Sequence, residues 1–177
     1  MQAPAQPPSP PESAVNGSIN DARALRKSLS QFATGVTVIT TRTPEGTLVG
    51  LTANSFGALS LEPALIVWSL RLSSASLAIF QNVPRFVVNV LTDAQVETSR
   101  HFASSAPKKF ESVAHAENQH GLPLLHGCAA WFECRRISHQ AAGDHCLFTG
   151  EVERYSNSEV APLLFHAGGY FTLGSRL

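Results

Sequence analysis

Residues 36–53 read VTVITTRTPEGTLVGLTA. The first six are Val, Ile or Thr, whose branched Cβ atoms crowd a helix and suit a pleated strand. Pro44-Glu45-Gly46 is turn chemistry, with proline fixing φ and glycine free to take a positive one. Residues 48–53 then return, so the stretch predicts a β-hairpin. Upstream, Asn20-Asp21 reads as a helix start, and Leu25, Leu29 and Phe32 recur at helical spacing through Ala33, with Gly35 as the stop. Downstream, residues 65–70 predict a strand buried on both faces, and Ser73 or Ser74 a cap for a short helix holding Leu77, Ile79 and Phe80. Residues 86–91 follow Pro84 as a strand, and Asp93 is the expected cap of a helix carrying Val96, Ser99, Arg100 and Phe102. Residues 104–126 predict loops and a short helix. Residues 129–137 and 145–155 are strands joined at Gly143-Asp144, and residues 163–173 a short strand broken at Gly168-Gly169. Strands outnumber helices and come as hairpins, so the expected class is mainly β: an antiparallel sheet or barrel with helices at its edge. Gly35, Gly46 and Gly50 do not make a G-x-G-x-x-G fingerprint, which argues against a Rossmann fold.

The chain has 177 residues, 44% of them hydrophobic and 15% charged, with 13 basic and 13 acidic side chains in balance. Zero net charge excludes nucleic-acid binding by bulk charge. No apolar run approaches the ~20 residues of a membrane helix. Cys128, Cys134 and Cys146 form no C-x-x-C pair, and the N-terminus shows no basic stretch followed by an apolar core. A reducing, cytoplasmic setting is expected. Residues 1–17 hold Pro4, Pro7, Pro8, Pro10 and Pro11 with almost no large apolar side chain, which predicts a disordered tail ahead of a domain over residues 18–177.

Five stretches carry candidate chemistry. Thr52-Ala53-Asn54-Ser55-Phe56 follows a strand with short hydroxyl and amide side chains, suited either to a flat polar ring or to a plain hydrogen-bonded strand exit. The turn from Ser69 to Ser76, with Leu70, Arg71 and Ser74, offers hydroxyls and one guanidinium to a phosphate, or simply caps a helix. Lys108-Lys109-Phe110 pairs two cations with an aromatic ring, to close over an anion or to face solvent. Gly143-Asp144-His145 places a histidine beside a carboxylate that can hold it in one orientation. His166-Ala167-Gly168-Gly169-Tyr170 combines polar rings with close backbone approach, or marks an edge-strand bulge. His101, His115, His120, His126 and His139 lack H-E-x-x-H spacing, so no metal site is expected. No serine lies in a G-x-S-x-G elbow.

The order of these landmarks resembles the short-chain NAD(P)H:flavin oxidoreductases, the flavin reductase family of the FMN-binding split barrel. The matching residues are 32–38, 51–56, Ser60-Leu61-Glu62-Pro63, 86–91 with Gln95, and Gly143-Asp144-His145. The resemblance implies a six-stranded antiparallel split β-barrel with flanking helices. It implies a homodimer with FMN, or FAD, near the subunit interface and NADH or NADPH as cosubstrate. It places Thr52, Ala53, Asn54 and Ser55 along the isoalloxazine ring. Ser69, Leu70, Ser74 and Ser76 fall near the ribityl chain and phosphate, with Lys108, Lys109 and Phe110 helping to hold them. Gly143, Asp144 and His145 form the nicotinamide side, with His145 the residue nearest the chemistry and His166 and Tyr170 near the same pocket. The implied activity is hydride transfer to flavin, supplying a partner monooxygenase. Relatives on the scaffold that reduce a corrinoid such as cob(II)yrinic acid a,c-diamide, and a non-catalytic flavin binder, are the alternatives. Arg135, Arg136 and Arg154 are the sequence candidates for an NADPH phosphate, and NADH is the expected donor.

Overall fold

A computed structural model of the chain describes residues 17–176. The expected proline-rich tail lies almost wholly outside the described residues. Helix α1 spans Ala22–Leu29, and the Asp21 carboxylate caps it by accepting the backbone N–H groups of Arg23 and Ala24 at 3.0 Å. The helix ends four residues before the expected Ala33. Gly35 is not its stop but sits in the two-residue strand β1 (Thr34–Gly35), paired with Leu164.

The predicted hairpin is β2 (Thr37–Arg42) and β3 (Leu48–Ala53), in register from Thr37↔Ala53 to Arg42↔Leu48. The chain continues through β4 (Gly57–Leu61), β5 (Ala64–Arg71), α2 (Leu77–Asn82), β6 (Arg85–Val90) and α3 (Val96–Ala103). A small hairpin follows, β7 (His115–Glu117) and β8 (Pro123–Leu125). Then come the long pair β9 (Ala130–Ala142) and β10 (His145–Asn157), and finally β11 (Leu164–His166) and β12 (Gly169–Phe171). The break at Gly168, which has φ +85°, is where the sequence placed it.

The main sheet runs β3-β2-β6-β9-β10-β5-β4, every pair antiparallel. Its outermost strands, β3 and β4, are consecutive in the chain and joined only by residues 54–56. That short corner forces the sheet to curl until its ends meet, which makes it a barrel. The seam is closed by a side chain. Ser55 Oγ accepts the Ser69 N–H at 2.9 Å and donates to the Ser69 carbonyl at 3.1 Å, taking the place of a strand partner on β5. The expected split barrel is thus present, and its ladder counts a seventh strand, the β4 edge that the sequence reading left unassigned.

Inside the barrel, Trp68 stacks on Phe148 at 4.5 Å and meets Phe80 and Phe86 edge-on at 5.1 and 5.6 Å. Ile39, Val88 and Cys134 are among the other buried residues of this core. A second cluster, of Val36, Val38, Leu91, Phe102, Leu125 and Leu163, lies on the other side of β2. The strand buried on both faces is therefore β2. The expectation for residues 65–70 is corrected: Ile66, Trp68 and Leu70 are buried while Leu65, Val67 and Ser69 are half-buried, as suits a sheet with one covered face. Two glycines let aromatic rings lie against the sheet. A Cβ at Gly150 would sit 2.6 Å from the Phe86 ring, and one at Gly50 would sit 2.6 Å from the Phe102 ring.

Two cap assignments also change. The residue before α2 is Ser76, not Ser73 or Ser74, and its side chain makes no capping bond. Ser74 Oγ instead accepts the Ser76 N–H at 3.3 Å. Thr92, not Asp93, opens the turn ahead of α3, because Gln95 reaches back to the Thr92 N–H at 3.0 Å and completes a capping box.

Candidate active site

The barrel seam opens into a cleft of about 420 Å³. Its walls are the end of β3 with the following corner (Thr52, Ala53, Asn54, Ser55) and the end of β5 (Ser69, Leu70, Arg71). Ser73 and Ser74, Phe102 and Ala103 at the end of α3, and His145 complete it. A second cleft of about 790 Å³ shares Leu51, Ser74, Phe102 and Ala103 with the first and adds Ser76, Lys108, Lys109 and Phe110. The shared residues make the two one continuous groove. Each volume lies in the range of small-molecule sites, ~300–1,000 Å³.

The hairpin turn brings His145 to the groove. Gly143, at φ +62°, makes the tight reversal between β9 and β10. The register then sets His145 directly opposite Arg71 of β5, and the Asp144 carbonyl accepts the Leu72 N–H at 3.0 Å. His145 Nδ1 lies 2.7 Å from Asp144 Oδ1, so the bond fixes the ring with Nε2 as its other polar edge. Gly143 and Asp144 themselves do not line the cleft. The hydrogen bond from His145, its charge and the more distant Arg71 hold the Asp144 carboxyl below its ordinary value of 3.8. What the pair adds to stability is therefore present at neutral pH and lost as pH falls through that lowered value. An NMR titration of the Asp144 carboxyl carbon is expected to give a midpoint below 3.8, and a midpoint at or above it would remove the bond from solution.

Several predicted site hydroxyls are already engaged. Thr52 Oγ1 donates to the Ser99 carbonyl at 2.6 Å, and Ser55 closes the seam. With their protons committed, both present lone pairs to a ligand. Asn54 is exposed with its amide uncommitted. Lys109 is half-buried; its Nζ donates to the Phe102 carbonyl at 2.8 Å, and burial pushes its pKa down. Lys108 is exposed and pairs with Glu111 at 2.8 Å.

His166 and Tyr170 are not brought to the groove. They lie on the β11–β12 hairpin, where the Tyr170 hydroxyl is 2.9 Å from Ser99 Oγ and its ring sits under Arg100. Thr52 and Tyr170 thus both bond Ser99, the first at its carbonyl and the second at its hydroxyl. Arg71, the guanidinium expected in the serine turn, lines the cleft as well, and its place opposite His145 could not be read in advance. It ends a strand beside a serine run, and only the β5–β10 register shows that it faces His145. Phe102, expected only as a residue of this helix, and Ala103, which carried no signal in the sequence, line the groove because α3 ends there.

Burial pushes Cys134 up to about 12 and Cys128 up to about 11, which makes these two thiols poor nucleophiles. Among the described residues no cluster of His, Cys, Asp and Glu has metal-site geometry, and no helix is long and apolar enough to cross a membrane. The first cleft is lined by hydroxyls, an amide, a guanidinium and an imidazole over an apolar floor, with no carboxylate. That donor set fits a polar aromatic ring carrying an anionic tail.

Residues 29–174 match the flavin reductase like domain. The reductase component of the flavin-dependent trigonelline monooxygenase of Acinetobacter baylyi is 37% identical over 154 residues, covering 87% of this chain and 50% of that protein. The FMN reductase (NADH) SmoA of Agrobacterium fabrum is 38% identical over 150 residues, 85% of each chain. The solved structure of the NADH:FAD oxidoreductase SgcE6 of Streptomyces globisporus, in complex with NAD and FAD fragments, superposes with a TM-score of 0.87 at 31% identity, covering 91% of this chain and 98% of that one. The chain spans about half the length of two of the curated relatives it matches. The family match over residues 29–174, with 38% identity to SmoA over 85% of each chain, establishes that this chain belongs to the flavin reductase-like domain family.

Proposed function

We propose that this chain is an NADH-dependent flavin reductase that passes a hydride from the nicotinamide to FMN or FAD and supplies reduced flavin to a monooxygenase component. The observation that carries this reading is the seam groove itself. There the hydroxyl and amide corner of residues 52–55, the serine turn with Arg71, and the Asp144-held His145 converge on one cleft. Flavin bound there supplies the redox chemistry, and the chain supplies position and electrostatics. Thr52 and Ser55 accept hydrogen bonds from the ring system, Ala53 gives it a flat contact, and Asn54 offers both donor and acceptor. Ser69, Ser73, Ser74 and Arg71 face the ribityl and phosphate portion, and Leu70 closes the apolar floor. Lys108, Lys109, Phe110 and Ser76 wall the groove's extension. His145 orients the nicotinamide carboxamide or ribose. No proton transfer is assigned to it, because hydride transfer requires none at that step.

NADH is favoured over NADPH because the arginines expected to read a 2′-phosphate are occupied elsewhere. Arg135 pairs with Glu151 and Glu153, Arg154 with Glu133, and Arg136 Nε donates to the Val83 carbonyl. A homodimer is part of the proposal. Its support is the exposed apolar row Leu25, Leu29 and Phe32 beside β1, together with a β11–β12 hairpin whose His166 and Tyr170 line neither part of the seam groove. A reducing, cytoplasmic setting fits three cysteines that form no disulfide. The test is NADH oxidation with added FMN, FAD or a corrinoid as acceptor. Turnover with free flavin supports the reading. Turnover with the corrinoid alone, or flavin binding without turnover, overturns it.

A further inference from the structure

The loop after α3 is tied to that helix by two bonds that run in opposite directions. Lys109 Nζ donates to the Phe102 carbonyl at 2.8 Å, one of the last helical carbonyls and without a partner inside the helix. In return, His101 Nε2 lies 2.9 Å from the Lys109 carbonyl, with Ser112 Oγ at 3.4 Å from the same nitrogen. A carbonyl only accepts, so His101 carries its proton on Nε2. Between these bonds the Phe110 ring packs edge-on against Phe102 at 5.1 Å. Both rings rest on Gly50 of β3, where an added Cβ would come within 3.1 Å of Phe110. Gly50 lies two positions before Thr52 on the strand that leads into the seam.

We infer that His101 and Lys109 form a clasp that positions the 108–112 turn as a wall of the flavin groove, and that Lys109 acts as a positioning residue rather than as a ligand of the flavin phosphate. The inference rests on the flavin reductase reading and deepens it. The ammonium has three N–H donors, and the bond to the helix carbonyl fixes where its nitrogen sits, so Lys109 is anchored to α3 whether or not an anion is bound. Lys108, beside it in the left-handed region at φ +53°, is the point about which the turn would swing if the clasp opened. His101 does not line the groove, so it acts only through the turn it holds.

The test compares His101→Ala, His101→Gln and Lys109→Met in the full chain, with FMN and riboflavin as acceptors. Loss of one such bond is expected to raise KM for flavin by about three- to tenfold, with kcat changing less than about twofold. His101→Gln, whose amide N–H can reach the same carbonyl, is expected to restore most of the loss. Lys109→Met is expected to weaken FMN and riboflavin equally, and the double variant to be little worse than either single one, because each opens the same clasp. A loss confined to FMN would make Lys109 a phosphate ligand and overturn the inference, as would an unchanged KM in His101→Ala. Trypsin provides a readout that needs no flavin: cleavage after Lys108 and Lys109 should be faster in His101→Ala than in the parent chain. Equal cleavage would overturn the clasp. An inactive parent chain would instead overturn the flavin reductase reading alone.

Discussion

Replacing Trp68 with alanine is expected to lower the unfolding free energy by about 3–5 kcal/mol, the scale of removing a large aromatic from a packed core. Trp68 is wholly buried, stacks on Phe148 and is flanked edge-on by Phe80 and Phe86. It therefore joins β5, β10, β6 and α2, four of the elements that close the barrel. The cavity left by alanine could not collapse without moving all of them. Trp68→Phe should cost much less. It keeps a ring in the stack and removes an indole N–H that has no partner in the core. Denaturant unfolding followed by circular dichroism measures both. An alanine variant within about 1 kcal/mol of the parent would mean that the barrel does not close on this residue.

His145→Ala is expected to reduce kcat/KM for NADH by about ten- to hundredfold, the range for losing a charge-assisted or well-oriented polar contact. The loss should fall on KM for NADH, with KM for FMN changing less than about twofold. Asp144→Asn should be milder than His145→Ala. The amide oxygen still accepts the Nδ1–H bond and keeps the ring turned toward the groove, while the carboxylate charge is gone. Steady-state kinetics with both substrates varied separates these effects. Unchanged kinetics in His145→Ala would remove the histidine from the nicotinamide side.

Local chemistry made part of this architecture legible in advance. The β-branched run through Thr41 and the Pro44-Glu45-Gly46 turn specify their hairpin without help from the rest of the chain, as does Asp21 at the start of α1. The Gly143-Asp144 reversal is equally local, since only a small set of residues tolerates its backbone. What could not be read is what depends on long-range register. Arg71 and His145 are 74 positions apart and meet only because β5 pairs with β10 as it does. The seam is another case. Ser55 reads as a turn serine, and nothing nearby shows that its hydroxyl will bridge both main-chain groups of Ser69. Lys109 shows the same limit at the site. A lysine beside an aromatic suggests an anion, whereas the fold delivers a helix carbonyl to it first. The half-burial of β5 belongs here too. Leu65-Ile66-Val67-Trp68 is apolar throughout, and periodicity alone does not say which face a neighbouring element will cover.

The central claim is that the groove at the barrel seam brings flavin and nicotinamide together for hydride transfer. The most direct test is an anaerobic titration of the full chain, mixed with FMN, by NADH while the flavin spectrum is recorded. The expected result is loss of the oxidised-flavin absorbance in stoichiometric proportion to added NADH, far faster than in a control without protein, and slowed in His145→Ala. A flavin that binds the chain, shown by quenched fluorescence, yet keeps its oxidised spectrum through excess NADH would contradict the claim.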